Sequence, residues 1–258
     1  MPAIDDVVQA YYSMKIYSAL QIGHYHTNHC EDYLFIGSIG KDKHVLAVMD
    51  GCTTALDSYF IATLTGKLLR KIATEKGYQE LYKPGIYNDI NFCLKSIVKD
   101  LFIELKQIKN LLMLDEKELL TTMILMIVDE KQQRGIVLVI GDGLVSINGT
   151  VTEFDHNNIP DYIGFQLNED FDNWYLNQKQ VLNFDSIKDI SIATDGLFSF
   201  TQVKKNETDE TANTLEILLK NDSQKENGEM ISLQLKKLEH QYGLLPTDDF
   251  AMIRIIAD

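Results

Sequence analysis

The chain has 258 residues, 45% of them hydrophobic, and a formal net charge of -14. That length and apolar share suit one large domain with a substantial core, and the acidic balance argues against nucleic-acid and anionic-membrane partners. Cys30, Cys52 and Cys93 form no CxxC pair and are odd in number, the N-terminus carries acids where a signal peptide is basic, and the longest apolar run (123–128) is too short to span a bilayer, so the expectation is a cytoplasmic protein.

Residues 15–22 alternate in part and predict a strand, followed by a loop rich in His and Asn (23–32). Strands at 33–39 and 44–49 flank the turn Gly40-Lys41-Asp42 and read as antiparallel neighbours. After Gly51 the period changes. Leu56, Phe60, Leu64, Leu68 and Ile72 recur every fourth residue and predict a helix, with Thr54 and Asp57 as a capping box and Gly77 as its stop. A second helix is predicted over 88–109, with the stripe Ile90, Leu94, Ile97, Leu101, Leu105 and Ile108.

Strands return at 121–128 and 135–140, and a pair at 144–147 and 151–154 flanks the hairpin signal Asn148-Gly149. Residues 155–179 are polar, hold the only tryptophan, Trp174, and read as an irregular surface excursion. A strand at 190–193, helices around 211–220 and 229–242, and a last strand at 250–256 complete the pattern. Strands outnumber crossovers, so an antiparallel core with helices outside fits better than a doubly wound parallel sheet.

Three apolar runs drive straight into Asp-Gly: HVLAVMDG at Asp50, GIVLVIGDG at Asp142 and DISIATDG at Asp195. A fourth strand starts from acids, at Asp248-Asp249. Strand ends hold side chains rigidly, and clustered carboxylates repel unless protons or cations join them. The candidate ligands are Glu31, Asp32, Asp50, Asp142, Asp195, Asp248 and Asp249, with the Gly51 carbonyl as a further oxygen; this all-oxygen set favours Mg or Mn over zinc. Spacing to the final strand favours Asp248 over Asp249. Any one Asp-Gly reads as an ordinary turn; their joint occurrence after apolar strands does not.

Taken in order, Glu31-Asp32, Asp50-Gly51, Thr121-Thr122, Gly141-Asp142-Gly143, Ala193-Thr194-Asp195-Gly196-Leu197 and Asp248-Asp249 resemble the metal-dependent protein phosphatases (PPM, type 2C) from about residue 18 onward. The resemblance implies a single α+β domain over 1–258, an antiparallel β-sandwich flanked by α-helices on both sides, with 155–180 as a flap-like excursion beside the site. It implies that Asp50 bridges two Mn or Mg ions, with the Gly51 carbonyl on one, and that Asp195 and Asp248 bind the second. Glu31 and Asp32 match an acidic pair that acts through water, and Asp142 an acid of a weaker third site. The implied reaction is hydrolysis of phosphoserine or phosphothreonine on a protein substrate by water held between the ions, with Asp50 and Asp195 as the catalytic centre.

The chain also departs from the family pattern. The family's phosphate-gripping Arg is replaced by His26 or Thr27, the His after Asp-Gly by Cys52, and the Ser-Arg after Gly-Asp by Gly143-Leu144. Ser199 stands where the acidic partner of the third metal belongs, which argues against a third ion. His26 is then the candidate substrate contact. His24, His26 and His29 otherwise read as surface residues, since no spacing matches a zinc pattern. Cys52 reads as a packing residue, and Thr121 and Thr122 as strand residues without a catalytic role. Two rival readings remain: a weakly active regulatory or binding protein of the same fold, and a two-metal nuclease, which the lack of a basic patch disfavours.

Overall fold

A computed structural model describes residues 14–155, 161–204 and 212–257. Strands β1 (Met14–Gln21), β2 (Tyr33–Ile39) and β3 (Lys43–Met49) lead into helices α1 (Ser58–Tyr82) and α2 (Ile90–Leu112). Strands β4 (Met123–Asp129), β5 (Arg134–Ile140), β6 (Gly143–Ile147) and β7 (Thr150–Phe154) follow, then the short helices α3 (Ile163–Gln166) and α4 (Phe171–Leu176). The chain continues through β8 (Val181–Phe184), β9 (Asp189–Ala193), β10 (Phe200–Gln202), α5 (Thr214–Lys220), α6 (Met230–Tyr242), β11 (Leu244–Pro246) and β12 (Phe250–Ala257).

The strands form two five-stranded antiparallel sheets, in the orders β1-β12-β9-β6-β7 and β2-β3-β4-β5-β8, with a small β10-β11 ribbon beside them. Residue parity explains the layers, since successive side chains point to opposite faces. On β3 to β5, Leu46, Val48, Ile124, Met126, Val137 and Val139 face Ile190, Ile192, Ala251, Ile253 and Ile255 of the other sheet. Their neighbours Val45, Ala47, Leu125, Ile127 and Leu138 pack outward against α1 and α2. The outer face of the β12 sheet, with Tyr17, Leu144, Ala193 and Met252, is covered by Leu218, Leu219, Met230, Ile231, Leu235 and Leu238 of α5 and α6. The architecture is the expected sandwich flanked by helices on both sides.

The two long helices differ in how well their faces were read. Each residue turns an α-helix by about 100°, so a strict four-residue repeat drifts by roughly 40° per step and leaves its face within a few turns. The α1 stripe has that strict repeat, and it is corrected here: Leu56 lies before the helix and is exposed, Phe60 and Leu64 are only partly buried, and the buried face runs through Ile61, Thr65, Leu68, Leu69, Ile72 and Lys76. The α2 stripe mixes steps of four and three, and its residues from Ile90 to Leu105 are buried as expected. The Thr54–Asp57 capping box does not form. Asp57 is the N-cap without a side-chain bond, and the Thr54 hydroxyl meets the Cys52 sulfur at 3.1 Å. Gly77 does not stop α1, which continues to Tyr82 and ends just before Pro84, whose ring disfavours helix at Lys83.

The expected surface excursion is also corrected where it is described. It carries α3 and α4, and Ile163, Leu167 and Trp174 are buried in the core beneath α2. Trp174 packs on Phe102 with ring centroids 4.6 Å apart. Residues 156–160 of that segment, and Thr211 at the start of the helix expected at 211–220, lie outside the described residues. Strands β8, β10 and β11 were not foreseen: all are three or four residues long, too short to show a period.

Candidate active site

Antiparallel pairing brings five of the acid-bearing connections to one end of the sandwich. Glu31 and Asp32 precede β2, and Asp50 follows its partner β3. Asp195 follows β9 by two residues, Asp248 and Asp249 precede its partner β12, and Asp142 precedes β6 on the other side of β9. Thr194 ties the two sheets together here. Its hydroxyl donates to the Asp32 carboxylate at 2.7 Å and accepts from the Ala251 amide at 2.9 Å.

Two glycines of the Asp-Gly pairs serve close approach of backbones. A Cβ on Gly51 would sit 1.9 Å from the Ser58 carbonyl oxygen, and one on Gly196 would sit 1.7 Å from that of Asp249. Only glycine lets these segments touch. The Asp50 carbonyl is then fixed by the Thr121 hydroxyl at 2.7 Å and the Thr122 amide at 2.9 Å, and the Gly51 amide donates to the Glu31 carbonyl at 3.2 Å. Thr121 and Thr122, read as strand residues only, therefore position the backbone of Asp50.

Asp32, Asp195 and Asp248 lie in charge–charge range of Asp50, and Asp142 and Asp248 in range of Asp195. Burial raises the Asp32 carboxyl well above the usual range, against the Thr194 hydrogen bond, and the charges of Asp195 and Asp249 add to the rise. Asp50 is raised likewise, by burial first and then by the charges of Asp32, Asp195 and Asp248. Asp195 is pushed up to about 6 by burial, with Asp142 and Asp248 next. Among the described residues, no Lys or Arg forms an ion pair with Asp32, Asp50, Asp195 or Asp248.

This donor set fits a hard divalent cation. It offers carboxylate oxygens, concentrated negative charge that only added positive charge relieves, and a buried Asp32 oxygen, Oδ1, without a hydrogen-bond partner.

Asp249 behaves differently from its neighbour. Its carboxylate is buried and accepts from the Gly23 amide at 2.6 Å and from the Glu31 amide, so it pins the loop 23–31 to the start of β12. The Asp248 side chain is half exposed, and its amide donates to the Ser199 hydroxyl at 3.1 Å. Ser199 in turn donates to the Gly196 carbonyl at 2.8 Å, so this residue braces the Asp195 and Asp248 loops.

Glu31 takes the Ser58 hydroxyl at 2.5 Å and the Thr53 hydroxyl at 2.8 Å. His26 lies with Nδ1 2.9 Å from Asp249 and Nε2 3.6 Å from Asp248. Burial works against a charge on His26, but the adjacent Asp249 carboxylate and the charges of Asp248 and Glu31 raise its pKa above the usual imidazole value. His26, Glu31 and Asp249 bring one ligand-type atom each within 4.8 Å of one another. His26 and Glu31 also line a 280 Å³ cleft with Tyr25, Thr27, Asn28, His29 and Ser58. His29 packs tilted against Tyr59, with ring centroids 4.2 Å apart, and is not part of that ligand group.

Sequence reasoning missed Ser199 and Asp249 as braces, and it missed Tyr162. Burial raises the Tyr162 hydroxyl above the usual value, with Cys52 and the charges of Asp50 and Asp142 next. No sequence signal marks it, because the segment reads as a polar loop.

Two antiparallel sheets between helical layers, with an acidic crevice at one end, define a phosphatase-type sandwich. The sequence agrees: the model of the protein phosphatase 2C family matches residues 22–237, and the chain belongs to that family. Its fold is similar to the PP2C phosphatase domain of SpoIIE from Bacillus subtilis (16% identity, TM-score 0.57), over 96% of this chain and 64% of that one. It is also similar to RsbX, determined in complex with magnesium (15%, 0.55, 95% and 96%). A third similar structure is the catalytic domain of the serine/threonine phosphatase PstP with two manganese ions (13%, 0.58, 95% and 98%). No curated protein matches the sequence. Among the described residues no helix is long and apolar enough to cross a membrane.

Proposed function

We propose that the protein is a metal-dependent phosphatase that hydrolyses phosphoserine and phosphothreonine in proteins. The observation that carries this reading is the group of carboxylates from both sheets, raised in pKa by burial and mutual repulsion, with no Lys or Arg among the described residues paired to them. Family membership supports it, as do the similar structures that hold manganese or magnesium.

Two Mn or Mg ions, held by Asp50, Asp195, Asp248 and the Gly51 carbonyl, with Glu31 and Asp32 further out, would supply the positive charge that attracts phosphate and activates the attacking water. The protein's own part is preorganisation. Thr121 and Thr122 hold the Asp50 backbone, Thr194 orients Asp32 across the sheets, and Ser199 braces Asp248. His26, oriented by Asp249, presents an imidazole at the edge of the crevice, where a protonated ring attracts a phosphate. Asp142 lies within reach of Asp195 as an outer acid; Ser199, committed to Gly196 and Asp248, leaves a third ion without that partner. The three free cysteines suit a reducing cytoplasm. The net charge of -14 disfavours nucleic acid and anionic membranes as partners.

The test is hydrolysis of an aryl phosphate and of a phosphothreonine peptide with Mn, with Mg and with chelator. Turnover is expected with metal only, and Asp50→Ala and Asp195→Ala are expected to lower it by at least about 10²- to 10³-fold. Activity that survives both substitutions would falsify the site. Tight Mn binding without turnover in the unaltered protein would instead favour the regulatory reading. Replacing His26 with Ala is expected to raise KM with little change in kcat, and unchanged kinetics would remove its role.

A further inference from the structure

The loop 23–31 is fastened along its length to the residues that lead into β12. The His24 amide donates to the Pro246 carbonyl at 2.8 Å and the Tyr25 amide to the Thr247 carbonyl at 3.2 Å, while the Gly23 and Glu31 amides donate to the Asp249 carboxylate. A Cβ on Gly23 would sit 2.3 Å from the Asp248 carbonyl carbon, so the two backbones are in direct contact. This docking carries His26 and Glu31 of the loop onto Asp249, which lies 218 positions beyond Glu31 in the chain. One ligand-type atom from each of the three then lies within 4.8 Å of the others.

The His26 Nδ1 atom is closed off from solvent and stands 2.9 Å from an Asp249 oxygen, yet it makes no hydrogen bond. A shared metal ion accounts for such a spacing without a proton between the atoms: adjacent ligand atoms on an ion with bonds of about 2.1 Å lie about 3 Å apart. The two carboxylates are fixed from behind, as metal ligands usually are. Glu31 accepts from the Thr53 and Ser58 hydroxyls and Asp249 from the two loop amides, so each keeps lone pairs for an ion. His26, Glu31 and Ser58 also line the 280 Å³ cleft, which gives an ion an entry path and solvent for its remaining positions. The imidazole sets this group apart from the all-oxygen crevice. One nitrogen with carboxylate oxygens suits zinc and its transition-metal neighbours, whereas Mg takes oxygen.

We propose that His26, Glu31 and Asp249 bind a zinc-type transition-metal ion through one nitrogen and two carboxylate oxygens, at a site separate from the two-ion crevice. Glu31 is the one residue common to both; Asp50, Asp195 and Asp248 take no part. The proposal goes beyond the phosphatase reading and does not depend on it. An ion and a proton exclude each other on Nδ1, so in the loaded protein the positive charge at the edge of the crevice belongs to the ion.

The test is calorimetric titration of zinc into the protein in excess Mg, repeated with cobalt, whose visible absorption reports its ligand geometry. The tightest zinc ion is expected at this site. His26→Ala, His26→Gln and Glu31→Gln are each expected to weaken it at least about 100-fold and to remove the cobalt spectrum, and Ser58→Ala, which frees the Glu31 carboxylate, to weaken it roughly 10-fold. Asp50→Asn, His24→Ala and His29→Ala are expected to keep its affinity. Unchanged zinc affinity in both His26 variants would overturn the site, and so would failure of the unaltered protein to bind zinc. Loss in Asp50→Asn with retention in the His26 variants would put the ion in the crevice, and an equal loss in His24→Ala or His29→Ala would give the nitrogen to another ring; either result overturns the proposal. His26 is half-buried, and thermal unfolding of the metal-free variants checks that they fold. Turnover is not part of the readout, so failure here leaves the phosphatase reading standing.

Discussion

Strand β12 carries buried charge at two places, and the two are balanced in opposite ways. Near its C-terminal end, the fully buried Arg254 forms two hydrogen bonds with Asp189, at 2.6 and 2.9 Å, and donates to the carbonyls of Leu218 and Asn221 at 3.0 and 2.9 Å. Charge is neutralised within the chain, and the guanidinium fastens α5 to the sheet. Just before the N-terminal end, Asp248 and Asp249 join a crevice of carboxylates whose ion-pair partner among the described residues is His26. Buried charge that is satisfied internally serves the fold; like charges left together store repulsion that a ligand of opposite sign relieves.

Breaking the balanced group tests this contrast most severely. Arg254→Ala removes four donor contacts and takes this donor from the Leu218 carbonyl, although the Asn221 carbonyl keeps the Gln234 side-chain amide at 2.7 Å and Asp189 can turn to water. The expected loss is about 3 kcal/mol of unfolding free energy, read by urea denaturation. A loss under about 1 kcal/mol would mean that the pair is not what fastens α5 to the sheet.

The crevice is predicted to respond to pH with a definite sign. Asp195 titrates at about 6 in the folded chain against 3.8 as the reference carboxylate, so between these values the folded state holds a proton that the unfolded state has lost. Stability contributed by that proton therefore falls as pH rises through this window, and the raised Asp32 and Asp50 extend the fall to higher pH. His26, a base with raised pKa, acts in the same direction. Two units correspond to up to about 3 kcal/mol, reduced by coupling among the acids. Metal-free protein should thus lose Tm from pH 5 to 7.5, and the Tm gain on adding Mn should grow over the same range. A Mn effect that is flat in pH would separate metal binding from these acids.

The sequence made the acids legible and left their supports hidden. Asp50, Asp142 and Asp195 were visible because apolar runs ended on them, and antiparallel pairing then gathered them. Asp249 looked like a redundant neighbour of Asp248, because only the fold shows the Gly23 and Glu31 amides that it accepts from. Ser199 acts through a partner 49 positions away, Asp248, and carries no local signal. The α1 face was misread because a strict four-residue repeat cannot stay on one side of a helix, whereas the mixed spacing of α2 can.

Substituting within the unbalanced group should have the opposite sign to the Arg254 change. Asp50→Asn keeps shape while removing one of the crowded charges, so metal-free protein at pH 7 is expected to gain about 1–2 kcal/mol while its Mn affinity drops. Loss of stability without metal would show that Asp50 is satisfied within the chain, as Arg254 is.

The smallest effect separates position from charge. Thr121→Val keeps volume and charge but removes the hydroxyl donor to the Asp50 carbonyl, which still accepts from the Thr122 amide. One neutral hydrogen bond in a part-buried place is worth about 1 kcal/mol, so a stability loss of that size is expected. Because the carboxylate itself is untouched, the pH dependence of Tm should keep its shape while the whole curve shifts down. If instead the shape changes, Thr121 governs the ionisation of the acidic crevice, and the division between structural donors and functional acids is not the one described for this end of the sandwich.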